Sequence, residues 1–92
     1  MKQDSIKETL KERGSRYGEF KDFAEISQEL KSKIPIYLTT EDEVINEGLE
    51  MIMHKIARIL NGDPFYDDSW RDIAGYSLLV VEYIKGLNNE NK

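Results

Sequence analysis

The sequence predicts an all-α fold: a compact bundle of about four helices, centred on an antiparallel pair over about 40–61 and 68–86, and oligomeric. Three observations lead there. Ile45, Leu49, Ile52, Ile56 and Ile59 recur at the spacing of one helical face. After a Gly-Asp-Pro turn, Trp70, Ile73, Ser77, Val80 and Ile84 repeat that rhythm, widened by Ala74 and Val81. No segment alternates with period two over useful length, and IPIYLTT at 34–40 is too short to build a sheet.

Taken in order, the first helix is expected from about Ser5 to Glu12, with Asp4 or Ser5 as its cap. Gly14 and Gly18 then bracket RGSRYG as a loop or tight turn. The second runs from about Phe20 to Lys33, its buried side given by Phe23, Ser27, Leu30 and Ile34, with Pro35 as the breaker beyond it. The third opens on a capping box, Thr40 with Glu43, and continues to about Leu60, where Asn61-Gly62 supplies the stop. The fourth is capped by Ser69 with Asp72, has Asp67 and Asp68 near its positive end, and closes at about Lys85 before Gly86. Residues 1–87 form one helical domain; Asn88 to Lys92 are a polar tail expected to be disordered.

The composition of the 92 residues narrows the function. With 39% hydrophobic and 34% charged residues the chain reads as globular. Cysteine is absent, which excludes disulfides and thiolate metal sites and fits a reducing cytoplasm. MKQDSIKETLKERG has no apolar centre and is not expected to be a signal peptide, and no run approaches a membrane span. The net charge of −5 argues against bulk nucleic-acid binding, whose affinity comes from neutralising phosphates. A small anion held by a local basic pair stays open.

Sorting the third helix at 100° per residue places Glu47, Glu50, His54, Arg58 and Asn61 together, opposite the isoleucine stripe. Val44 and Met51 flank this strip on one side, Met53 and Ala57 on the other. So narrow an ionic stripe on an otherwise apolar helix is either a solvated face or the wall of an enclosed crevice. On the fourth helix Asp72, Tyr76, Leu79, Tyr83 and Leu87 share the face opposite the core stripe. That seam is too apolar for open surface, and packing of Tyr76, Leu79, Tyr83 and Leu87 in a homo-oligomer explains it most simply.

Arg13, Arg16 and Tyr17 in ERGSRYG put two guanidiniums and a phenol beside two glycines. Such a loop can hold a phosphate through fork donors and exposed amides, or be a turn with solvated arginines. His54 alone makes a thin metal site, and Trp70 reads first as a core anchor. Walker, GxGxxG and GxSxG motifs are absent.

ERGSRYGEF, ISQELK and HKIARILNGDPFYDDSWRDIAGYSLLV together resemble a family of small phage and prophage proteins of unknown function, over nearly the whole chain. More distantly, K-I-x-R followed by DSWRDIAGY is similar to the nucleotide modification associated domain 1 of phages. Both look like relatives of the MazG-type all-α nucleotide pyrophosphohydrolases, which assemble as dimers or tetramers and bind nucleoside triphosphates with Mg²⁺. The MazG pattern E-E-x-x-E is met by Glu47 and Glu50, with Asn46 where the paired glutamate would stand. Its second element, E-x-x-D, is met by Asp72, with Ser69 in place of the glutamate and Asp68 one residue earlier.

The resemblance implies two nucleotide functions. In the first, a small cytoplasmic oligomer without cofactor binds a nucleotide or cyclic nucleotide, and so sequesters an immune signal of the host. Arg58, Lys55 and His54 meet the phosphate, with Arg13 and Arg16, while Tyr17, Tyr76 or Trp70 stack on the base and Asp72 lies nearby. In the second, Glu47, Glu50, Asp68 and Asp72 serve a Mg²⁺-dependent pyrophosphohydrolase, with Glu47, Glu50 and Asp72 as metal ligands. A third function, inhibition of a basic host protein, rests on the acidic charge alone.

Overall fold

A computed structural model describes the backbone of residues 2–90 and the side chains of residues 5–89. Every regular element among the described residues is helical: α1 (Lys2–Tyr17), α2 (Phe20–Lys31), α3 (Ile34–Tyr37), α4 (Glu43–Asn61) and α5 (Asp67–Glu90).

The first helix does not stop before Gly14; α1 runs through it to Tyr17. A mid-helix glycine costs only about 1 kcal/mol relative to alanine, too little to break a continuous ladder of backbone bonds. The stop falls at Gly18, whose φ of +77° is the left-handed conformation that glycine adopts freely. Its amide donates to the Gly14 carbonyl at 2.8 Å. The expected loop at 14–18 is therefore mostly helix, and its amides are used internally.

The second helix is close to expectation, with Phe23, Ser27 and Ile34 buried. Pro35 sits in the first turn of α3, where its missing N–H costs nothing. The cap of α4 is Asp42, not Thr40: its Oδ1 accepts from the amides of Val44 at 2.9 Å and Ile45 at 3.1 Å. Thr40 stands one step back, its hydroxyl accepting from the Asp42 amide. A carboxylate answers the positive helix end with full charge, so the aspartate wins the position.

Helix α5 starts two residues before Ser69, which is buried inside the first turn and is no cap. It also continues past Gly86 to Glu90, so Asn88 and Asn89 are helical; Asn91 and Lys92 lie outside the described residues.

Helix α4 is the centre. Along it α5 runs antiparallel, as three pairs show: Asp42 with Tyr83, Gly48 with Val80, and Lys55 with Asp72. A Cβ on Gly48 would stand 2.6 Å from Val80, so this glycine sets the closest approach of the two helices. Helix α2 lies on another side of α4, with Phe23 against His54, and α3 covers Leu49 and Met53.

The chain is not compact. It measures 57 × 26 × 26 Å, with a radius of gyration of 16.3 Å where a compact chain of this length has about 12 Å. Ile6 and Leu10 of α1 remain largely exposed, and no large side chain among the described residues is fully buried.

The faces pack differently from expectation. On α4, His54 and Arg58 of the ionic strip lie against Phe23 of α2, and the isoleucine stripe is half-buried as they are. On α5, Tyr83 donates to Asp42 of its own chain at 2.5 Å and Tyr76 is half-buried beside α4, while Leu79 and Leu87 of the same expected seam are exposed. Trp70, Val81 and Ile84, expected in the core, are exposed. Aromatic rings account for the inward Arg58: Phe23 and Tyr17 offer π-faces to its guanidinium, which aliphatic side chains cannot do. No described helix is long and apolar enough to cross a membrane.

Candidate functional site

Two turns are bound to each other through backbone. Asn61, the last residue of α4, donates from its side-chain amide to the carbonyls of Tyr17 and Glu19, both at 2.9 Å. The Asp63 amide donates to the Arg16 carbonyl at 2.8 Å. A Cβ on Gly18 would overlap Asn61, and one on Gly62 would overlap the Arg16 carbonyl and Tyr17. The pairs Tyr17-Gly18 and Asn61-Gly62 thus let the α1–α2 turn lie flat on the α4–α5 turn. This contact places α1 beside the end of α4.

The crevice so formed has a volume of about 530 Å³ between α1, the start of α2 and α4. Arg58 is its floor. Its guanidinium lies 4.5 Å from the Tyr17 ring centroid and 5.5 Å from that of Phe23. Among the described residues Arg58 has no carboxylate partner, and its buried Nε has no hydrogen-bond acceptor. Such contacts stabilise a cation by about 0.5–2 kcal/mol without neutralising it. Lys11 and Arg13 also line the crevice, against the single carboxylate of Glu19. Three cations to one anion make it locally positive in a chain whose net charge is −5. The exposed ring of Phe20 stands at its rim, and the start of α2 there carries no side-chain cap.

His54 lies one turn before Arg58, half-buried, its ring edge-on to Phe23 at 4.8 Å. The Lys31 ammonium donates to its Nδ1 at 3.5 Å. Burial first, then the positive charges of Arg58, Lys31 and Lys55, push its pKa below the ordinary imidazole value. The neutral imidazole is an acceptor here, not a phosphate-pairing cation. Tyr17 is held protonated by burial and by donating to Asp68 at 2.9 Å.

The remaining sequence-predicted residues lie elsewhere. Arg13, Tyr17 and Arg58 are brought together; Arg16 turns aside to stack over Tyr66 at 4.3 Å. Lys55 points to α5 and pairs with Asp72 at 2.9 Å. Trp70 is half-exposed, its indole N–H donating to the Pro64 carbonyl at 2.9 Å. Tyr76 lines a separate apolar groove between α4 and α5, with Glu47, Met51 and Leu79.

The four carboxylates implied for catalysis do not converge. Asp68 accepts from Tyr17, Asp72 is bound to Lys55, Glu50 accepts from Asn46 at 3.0 Å, and Glu47 borders the apolar groove. Among the described residues no three His, Asp or Glu side chains gather as a metal site.

Lys11, Phe20, Phe23 and Asn61 belong to the site and were not singled out as ligand-facing in the sequence. Phe20 and Phe23 three apart at a helix start, just after Gly18, carried the signal. The pairing of the Tyr-Gly and Asn-Gly turns left no trace in local spacing. No family model, curated protein or solved structure matches this chain.

Proposed function

We propose that the crevice binds a small anionic ligand of the nucleotide class and performs no chemistry on it. Arg58, Arg13 and Lys11 take the phosphate, and the base lies against Phe20 and the aromatic floor. One observation carries this reading: among the described residues Arg58 has no carboxylate partner, and its charge is held on aromatic rings inside a positive crevice of an acidic protein. A guanidinium pre-set in one orientation recognises phosphate without the entropy of ordering a free side chain. The phage resemblance leads further, to a cyclic or modified nucleotide used as an immune signal and to its sequestration.

Isothermal titration with inorganic phosphate, nucleoside mono- and triphosphates and cyclic dinucleotides tests the reading, with and without Mg²⁺. Saturable binding of a nucleotide that is independent of Mg²⁺, and reduced at least tenfold in Arg58→Ala, is the expected result. Mg²⁺-dependent release of diphosphate would replace it with the pyrophosphohydrolase. Unchanged affinity in Arg58→Ala would remove the crevice from the function, and silence towards every anion would leave the host-protein inhibitor.

A further inference from the structure

We infer that Glu19 selects a guanine base in the crevice; the inference rests on the nucleotide reading of that site and names the base it takes. The crevice is divided by charge. Its cations, Lys11, Arg13 and Arg58, stand on α1 and α4, and its one carboxylate, Glu19, stands at the turn into α2. The residue before a helix commonly caps it with its side chain, yet that of Glu19 accepts from no amide of α2. Among the described residues it also pairs with no lysine or arginine. Its backbone, in contrast, is fixed: the carbonyl accepts from the Asn61 side-chain amide at 2.9 Å and from the Phe23 amide at 3.0 Å. Only side-chain torsions are left to order when the carboxylate takes a partner.

The neighbouring ring identifies that partner. Phe20 follows Glu19 in the chain, lines the same crevice and is 78% exposed, with the buried Phe23 ring behind it at a centroid distance of 5.9 Å. A planar base laid on the Phe20 ring lies within a side chain's length of the carboxylate. An ionised carboxylate only accepts hydrogen bonds, through two oxygens side by side. Guanine alone among the common bases offers two adjacent donors on one edge, N1–H and the N2 amino group. Adenine and cytosine set an acceptor next to their single amino group, and uracil sets a carbonyl on each side of its one N–H. Each of these turns a lone pair towards the carboxylate, and a site built to accept twice rejects a base that cannot donate twice. The cations on the other two helices are left for the phosphate. The crevice volume of about 530 Å³ suits such a ligand, since small-molecule sites span about 300–1,000 Å³.

Calorimetric titration of GMP, IMP, AMP and inorganic phosphate into the full chain, Glu19→Gln and Arg58→Ala tests the selection. GMP is expected to bind more tightly than AMP by about tenfold or more. IMP, which keeps N1–H and lacks the N2 amino group, falls between them. In Glu19→Gln the ratio of GMP to AMP drops below about threefold, because the amide presents one acceptor and one donor and suits both bases. Inorganic phosphate binds that variant as well as it binds the native chain, or better, since one negative charge has left the crevice. The order of GMP, IMP and AMP in the native chain needs no variant, so it stands even if Glu19→Gln unfolds. GMP and AMP of equal affinity, both weakened by Arg58→Ala, overturn the choice of base and leave the anion site standing. So does a guanine preference that survives in Glu19→Gln. No binding of phosphate or of any nucleotide overturns the inference together with the reading it rests on.

Discussion

Arg58 and Tyr17 form the joint of the molecule: the guanidinium lies 4.5 Å over the ring centroid, while the phenol reaches past it to Asp68 at 2.9 Å. One side chain of α1 thereby touches α4 by its face and α5 by its hydroxyl. The two halves of the contact separate by substitution. Tyr17→Phe keeps the ring and loses one hydrogen bond to a carboxylate, which should cost about 1 kcal/mol of stability in urea unfolding. Its ligand affinity should stay within about twofold, since the ring is retained. Tyr17→Ala should lower both, because Arg58 then loses its support.

The glycines divide into two kinds. Gly14 lies inside α1 with open space around a would-be Cβ, so Gly14→Ala should raise stability by about 0.5–1 kcal/mol. Gly18→Ala and Gly62→Ala should each lower it by more than about 2 kcal/mol. Gly18 combines a left-handed φ with overlap on Asn61, and Gly62 would strike backbone. A thermal melt of the three variants suffices, and destabilisation by Gly14→Ala would show that segment to be a loop after all.

Lys55 and Asp72 join α4 to α5 at 2.9 Å, with the lysine side chain 15% exposed and the aspartate 39%. Partial burial sharpens the attraction, and partial exposure screens it. A double-mutant cycle with Lys55→Met and Asp72→Asn should return a coupling of about 1 kcal/mol. Lys55→Ala should cost more than Lys55→Met, because the stem also packs.

Acid should loosen the fold through His54. Its pKa is depressed in the folded chain, so between the unfolded value of 6.5 and the lower folded value the unfolded state binds more protons. Stability is full above pH 6.5 and falls as pH drops through that window. Urea midpoints at pH 7.5 and 5.5 should differ in the native chain. In His54→Gln the difference should shrink, because glutamine fills similar space without titrating.

Local patterns carried what local physics decides. The all-helical class, the break between Lys31 and Pro35, and the turn at Asn61-Gly62 all follow from propensity, fixed φ and periodicity within a few residues. The ionic strip on α4 was visible as an anomaly, and Arg58 with Arg13 and Tyr17 was within its reach. Cap positions and helix ends were less so: Thr40 and Asp42 both suit a helix start, and one glycine in a ladder does not end it.

Tertiary structure alone decided which stripe faces inward. Helical spacing marks faces as apolar or ionic but does not assign each face a partner. That choice depends on contacts dozens of residues apart, such as Asn61 with Tyr17 and Phe23 with His54. Cation–π support let Arg58 lie against Tyr17 and Phe23, while Trp70, Val81 and Ile84 of α5 were left outward. The sequence by itself determined the helices and the chemistry on their surfaces; packing decided that the arginine lies inside and the tryptophan outside.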